Sequence, residues 1–361
     1  MSAPEADPLR LLWLTLPGTR PGRELAWLGS MPDAAVTAVG DRPTGDPVPF
    51  ETRRYRHPIH RFVEAGAFAW FQDLDTVPEP AGGAGWVGAL ELCALVTGQV
   101  PGLAERRGAR RFAMTWGNDA NNPLYRVPPY RWALRRAERF DRIICLIEAA
   151  RDHCVELGIP EDRCRVVLPP LDTERFHPPA EPVEEPIALF ISPLAENKGI
   201  DRVLDAFAIV RRRVPEARLV VAGRGPLEAL VRERADASGG AIAYVGSLPG
   251  DEVAALLRTG AVFVTAPRPT RVWNEQFGLA YVEAMASGLP VVTTECGTNH
   301  EAVLPPSIRV PDEVGALADG LVHFLADPAL RRRVFPEVRA AVVERFERTQ
   351  QLRALRAAFD D

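Results

Sequence analysis

Lysine is all but missing from this chain: of 43 lysine and arginine residues, the sole lysine is Lys198. Cysteine is scarce as well. The five present (Cys93, Cys145, Cys154, Cys164 and Cys296) are odd in number, scattered, and free of any C-x-x-C pair. That pattern argues against a disulfide framework or a zinc site and fits a reducing cytoplasm. No uninterrupted apolar run approaches the ~20 residues a membrane span requires. The first residues, MSAPEADPLR, are polar and acidic where a signal peptide would be basic and then apolar. A cytoplasmic location is expected, with peripheral contact at the inner membrane face left open. Neither G-x-S-x-G nor G-x-x-x-x-G-K-[ST] occurs, so a hydrolase elbow and a P-loop are unsupported. A net charge of −5 gives no bulk attraction for nucleic acid.

What is present describes a folded two-domain protein. The chain has 361 residues, 47% of them hydrophobic and 25% charged, too many for one ordinary core. The run LRLLWLTL reads as a fully buried strand, followed by a Gly/Pro loop, the helical stretch RELAWLGSM and a second strand, AAVTAV. Strand, loop, helix and strand at this spacing make a βαβ unit of a parallel sheet. Further short apolar runs follow at RFAMTW, RIICLI and RVVLPP. The pattern restarts at IALFIS and continues through ARLVVAG, IAYVGS, AVFVTA and PVVTT, with helices over Ile200–Val210, Pro226–Ala237, Asp251–Arg258 and Phe277–Ser287. The Pro/Glu-rich segment HPPAEPVEEP separates the two series. An α/β architecture of two doubly wound, Rossmann-like domains is expected. Their ligands would bind beyond the carboxyl ends of the strands, in a cleft between facing sheets.

Charge is uneven: Pro101 to Arg142 holds ten Arg against four acids, a local +6. Such a patch is read first as two Arg-faced surface helices. A phosphate-bearing substrate or an anionic membrane surface stays open as its partner. Asp73-Leu-Asp75 and the pair His57 and His60 have spacings a metal could use. Three-residue motifs are weak, however, and no ligand cluster accompanies them, so no metal is expected.

The most informative stretch is NEQFGLAYVEAMASGLP, from Asn274 to Pro290. Phe277, Gly278 and Leu279 open a helix whose unsatisfied N–H groups and positive dipole end suit a phosphate. Glu275 precedes that helix and Glu283 lies eight residues further on. A second stretch, LFISPLAENKGIDRVLDAF, presents Lys198 in a strand–loop–helix. A chain that avoids lysine elsewhere and keeps it here implies a need for a compact ammonium.

These residues carry a resemblance to the retaining GT-B glycosyltransferases of family four, the glycosyl transferases group 1. The first stretch is similar to that family's E-x7-E signature and the second to its "GR…EKG" diphosphate loop. VVAGRGP, YVGSLPG, CGTNHEAV and VVLPPLDTERFHP resemble further family segments between about residues 140 and 345. The resemblance implies that Glu275 grips the donor sugar and Lys198 the diphosphate, both as catalytic residues. It further implies that Glu283 holds the ribose. Phe277, Gly278, Leu279, Gly223, Val245 and Arg271 complete the donor site. Departures are specific. Pro193 stands where the family has Arg, leaving Arg271 or Arg224 to supply a second charge. Thr298 replaces a glycine of the phosphate loop, and Pro170 another at the domain boundary. Pro78 stands where a His of an H-x-H-E-P-like loop would lie. On the acceptor side Glu79, Gly18 and Asn118 are the candidates, with AGGAGW read as a glycine-rich loop opening a helix.

The implied function is a hexosyltransferase (EC 2.4) that uses a nucleotide-diphosphate-sugar, needs no cofactor or metal, and retains configuration. The acceptor is unspecified: a sugar, a lipid or a small-molecule glycoside. A GT-B phosphorylase or epimerase, or a non-catalytic nucleotide-sugar-binding protein, is the alternative. The expected division is residues 1–178 on the acceptor side and 179–345 for the nucleotide-sugar. A helix over 346–361 is left open to pack back on the first domain.

Overall fold

The structure is a computed structural model and describes residues 8–17, 22–42, 48–56, 69–78, 80, 82–117, 123–126, 128, 130–181 and 183–360. The chain divides into two compact units, residues 1–170 with 349–361, and residues 171–348.

In the N-terminal unit the elements run β1 (Leu9–Leu14), α1 (Arg23–Gly29), β2 (Ala34–Gly40), β3 (Phe50–Thr52), β4 (Tyr55–Arg56), β5 (Trp70–Phe71), β6 (Trp86–Leu90), α2 (Val100–Arg106), β7 (Arg110–Thr115), α3 (Tyr130–Leu134), β8 (Arg142–Cys145), α4 (Glu148–Glu156) and β9 (Cys164–Val166). One parallel sheet has the order β3-β2-β1-β6-β7-β8-β9, with β4 and β5 forming a separate antiparallel ribbon. Leu11, Leu12 and Leu14 have no exposed surface, as expected where helices cover both faces of a parallel sheet.

A central strand was not expected from the sequence. The stretch beyond AGGAG, read above as a loop opening a helix, contains β6, which pairs with β1 on one side and β7 on the other. Gly88 interrupts its apolar run and hides it from pattern reading. The tertiary structure requires that glycine, because a Cβ there would lie 2.2 Å from the ring of Phe112 on the neighbouring strand.

The C-terminal unit follows as β10 (Ile187–Ile191), α5 (Ile200–Arg213), β11 (Arg218–Ala222), α6 (Glu228–Ala237), β12 (Ile242–Gly246), α7 (Gly250–Leu257), β13 (Val262–Thr265), α8 (Leu279–Ala286), β14 (Val291–Thr294), β15 (Ile308–Val310), α9 (Val314–Leu325) and α10 (Pro328–Phe346). Its parallel sheet has the order β12-β11-β10-β13-β14-β15. On α5 the buried positions Val203, Leu204, Phe207 and Val210 follow the 3.6-residue period, and they join Phe190, Val221 and Phe324 in one core.

The unit boundary falls at Pro170/Leu171 rather than at 178/179. Leu171 donates its N–H to the Phe346 carbonyl at 2.9 Å, and Arg339 donates to the carbonyls of Phe176 and Thr173. Residues 171–178 are thereby tied to α10. The last helix, α11 (Arg348–Ala357), belongs mainly to the N-terminal unit: Leu352, Leu355, Ala358 and Phe359 pack with Trp13, Trp86 and Phe112. The Phe359 ring meets Phe112 edge-on at 4.9 Å.

Cysteine placement also departs from expectation. Cys145, Cys154 and Cys164, scattered in sequence, converge with their Sγ atoms all within 4.8 Å of one another.

Candidate active site

In an open parallel sheet the ligand crevice lies beyond the carboxyl ends of the strands, where the strand order reverses. The C-terminal sheet reverses between β10 and β13. The two loops leaving those strands carry Lys198 and Glu275. The loop after β10 turns through the short 3-10 segment Glu196–Lys198, and Gly199 at φ 68° then starts α5. Gly199 has a steric reason to be glycine: a Cβ there would lie 1.8 Å from the Ala266 carbonyl oxygen. Backbone of the two loops is thus in direct contact, which sets Lys198 over the β13 loop.

Lys198 Nζ donates to Glu275 Oε2 at 2.7 Å and lies 4.7 Å from the Trp273 ring centroid. Glu275 is 8% exposed. Its own backbone is clamped from the far side. Thr298 N–H donates to the Glu275 carbonyl at 3.0 Å, and the Thr298 hydroxyl donates to the Gln276 carbonyl. A Cβ at Gly297 would lie 2.1 Å from that same Glu275 carbonyl. Thr298, which stands where the family resembled above has glycine, therefore holds the Glu275 turn through both its backbone and its side chain.

The helix expected from Phe277 begins instead at Leu279, with Gly278 as its N-cap at φ 85°. Phe277 is buried against Phe346, with ring centroids 5.6 Å apart, so its side chain serves the core. Helix α8 has no acidic or basic residue in its first turn, leaving its N–H groups and the dipole field uncompensated there by its own side chains. Glu283 lies in the second turn and is 4% exposed. Beneath, Tyr281, Thr265 and Thr293 join hydroxyls at 3.0–3.3 Å, locking α8 to β13 and β14.

The remaining donor-side expectations separate. Gly223, at φ 144°, packs so tightly that a Cβ would lie 2.0 Å from the Ser192 carbonyl oxygen. Leu194 donates its N–H to the Arg224 carbonyl at 3.0 Å. The Arg224 backbone is thus tied to the residue after Pro193, and both Arg224 and Arg271 are exposed. Val245 is 44% exposed on the edge strand β12. Gly18, Glu79, Asn118, His57 and His60 lie outside the described residues. Asp75 of the D-x-D is in an ion pair with Arg106 at 2.6 Å.

Sequence reading missed two features. Trp273, two residues before Glu275, forms a wall against Lys198. Glu91 follows β6 at the switch point of the N-terminal sheet, between β1 and β6, and could have been found as the carboxylate closing WVGAL had that strand been recognised. It adopts φ 63° and accepts from the Thr115 hydroxyl at 2.9 Å and the Trp116 N–H at 3.0 Å. Glu24 accepts from the Trp116 indole at 2.8 Å. Burial, opposed by those two hydrogen bonds and reinforced by Glu24, pushes the Glu91 carboxyl up to about 7.

The family model for glycosyl transferases group 1 matches residues 172–340. A GDP-mannose-dependent alpha-(1-6)-phosphatidylinositol monomannoside mannosyltransferase of Mycolicibacterium smegmatis is 30% identical over 276 residues, 71% of this chain and 68% of the relative. The lipopolysaccharide core biosynthesis mannosyltransferase LpsB of Rhizobium meliloti is 30% identical over 54% of this chain and 60% of its own. Among solved structures, Anabaena HepE in complex with UDP superposes with a TM-score of 0.74 at 16% identity, covering 96% of this chain and 98% of HepE. Sucrose-phosphate synthase from Thermosynechococcus elongatus gives 0.68 at 18% identity, covering 96% and 97%. The two parallel-sheet units are those of the GT-B fold. The chain belongs to the glycosyl transferases group 1 family, and it is a glycosyltransferase.

Proposed function

We propose that this protein transfers a hexose from a nucleotide-diphosphate-sugar to an acceptor hydroxyl with retention of configuration and without a metal. The observation that carries this reading is the Lys198–Glu275 contact at the switch point, beside the open start of α8. Lys198 and the α8 N–H groups bind the diphosphate, Glu275 turns from Lys198 to the sugar hydroxyls, and Glu283 binds the ribose. The bond from the anomeric carbon to the phosphate oxygen breaks as the acceptor oxygen bonds that carbon on the same face. The acceptor proton passes to the departing phosphate oxygen. Charge grows on the diphosphate during this step, so fixed positive groups there supply the main stabilisation. Arg224, whose backbone is tied to the loop of Pro193, or Arg271 adds a second charge.

The names of the M. smegmatis and R. meliloti relatives support mannose as the sugar and, for the former, GDP as the carrier. We propose GDP-mannose as donor and a lipid-linked or saccharide acceptor, with the reaction on the cytoplasmic side. No helix among the described residues is long and apolar enough to cross a membrane. Peripheral contact through the arginine-rich region 101–142 remains part of the proposal.

A thermal-shift comparison of GDP-mannose, GDP, UDP-glucose and UDP, each with and without EDTA, tests it. Ligand that binds only the folded state raises the midpoint by mass action. A GDP-specific rise that survives EDTA and is lost in Glu283→Ala is the expected result. A rise with UDP species alone overturns the donor assignment, and a rise that EDTA abolishes overturns the metal-free reading.

A further inference from the structure

We propose that Cys145, Cys154 and Cys164 form a three-thiolate site for a soft metal ion, with Cu(I) the best chemical match. Each thiol comes from a different element of one βαβ unit. Cys145 ends β8, Cys154 lies on the crossover helix α4, and Cys164 starts β9. The register pairs Ile143 with Cys164 and Cys145 with Val166, so the two strand cysteines are two residues apart on the same sheet face. The crossover helix packs on that face and supplies the third. The convergence therefore follows from the fold, whereas a disulfide would use two thiols and strand one.

Size and chemistry agree. Three sulfurs around one ion, at metal–sulfur bonds of ~2.3 Å, stand about 4 Å apart. The three Sγ atoms lie within 4.8 Å of one another, so small side-chain shifts close the triangle. All three residues are at most 5% exposed, which shields a bound ion from water and oxidants. Structural zinc sites take four protein ligands. This group has three members among the described residues, a donor set that suits a softer ion content with three sulfurs. On binding, the thiol protons leave to solvent as the ion takes their place.

The test uses the reduced full-length chain, held anaerobically and titrated with Cu(I) against a colorimetric Cu(I) chelator. One copper per chain is expected to resist the competitor, with X-ray absorption reporting three sulfur neighbours. Cys164→Ser and, separately, Cys154→Ser should weaken retention by at least roughly 10–100-fold. Cys93→Ser and Cys296→Ser should leave it unchanged. Copper retained equally by the Cys145/Cys154/Cys164→Ser triple variant, or fewer than three sulfur neighbours in the wild type, overturns the site. So does failure of the folded wild type to compete for copper, a result that does not depend on any variant folding.

Discussion

Lys198 and Glu275 lie 77 residues apart in the chain and meet at 2.7 Å on two loops whose backbones touch. The only lysine of the protein is thus spent on one buried carboxylate, with the Trp273 ring closing the third side. Such a pair is weak evidence for stability, since removing both charges from water offsets much of their attraction. Under the function proposed above, the pair is held oriented until a ligand divides it, the ammonium going to phosphate and the carboxylate to hydroxyls.

The first prediction concerns that pair. Lys198→Ala and Glu275→Ala should each lower kcat by about 10²–10³, the scale of losing one preorganised charge-stabilising group. Lys198→Arg should fail to restore the rate, because the larger guanidinium cannot place its spread charge where the compact ammonium sits against Glu275. The measurement is steady-state transfer with GDP-mannose, alongside circular dichroism to establish folding. Wild-type turnover in the arginine variant would show that charge alone suffices.

Glu91 makes a pH-dependent prediction. Its folded carboxyl is raised from 4.5 to about 7, chiefly by burial. The folded state therefore holds the proton more tightly than the unfolded chain does. Its contribution to stability is full below pH 4.5 and is lost as pH rises through 7. Urea unfolding followed from pH 4.5 to 7.5 should show this decline in the wild type, and a flatter profile in Glu91→Gln. Equal slopes in the two proteins would mean that Glu91 is ionised throughout.

The C-terminal segment supplies a third. Phe359 is 4% exposed and stacks edge-on against both Trp86 and Phe112. Phe359→Ala should destabilise the N-terminal unit by about 3–5 kcal/mol, the usual cost of removing a buried aromatic ring. Hydrogen exchange should show the loss in β6 and β7 and leave β10 and β13 unchanged. Uniform loss across both units would contradict the division described here.

Much of the C-terminal unit was legible from residue order. Strands β10 to β14 are short, largely apolar runs, whereas β15, Ile-Arg-Val, escaped notice; the E-x7-E segment and Lys198 are local signals that need no knowledge of distant contacts. The family assignment grew from those segments. The N-terminal unit was harder for a physical reason: β6 contains Gly88, a residue that weakens a strand pattern and is demanded only by a ring on the adjacent strand. Missing that strand also hid Glu91 at its end.

Residue order by itself indicated the class of many elements and the two-unit plan, and through a family resemblance it singled out Lys198, Glu275 and Glu283 as donor-site candidates. Those features depend on local propensity and on spacing along one helix or loop. Tertiary structure alone decided that Lys198 reaches Glu275, that Thr298 clamps the Glu275 turn, that residues 171–178 join α10, and that three distant cysteines converge. Each of these depends on which strands become neighbours. Sheet order is set by burial summed over the whole unit, a quantity that no local stretch of sequence contains.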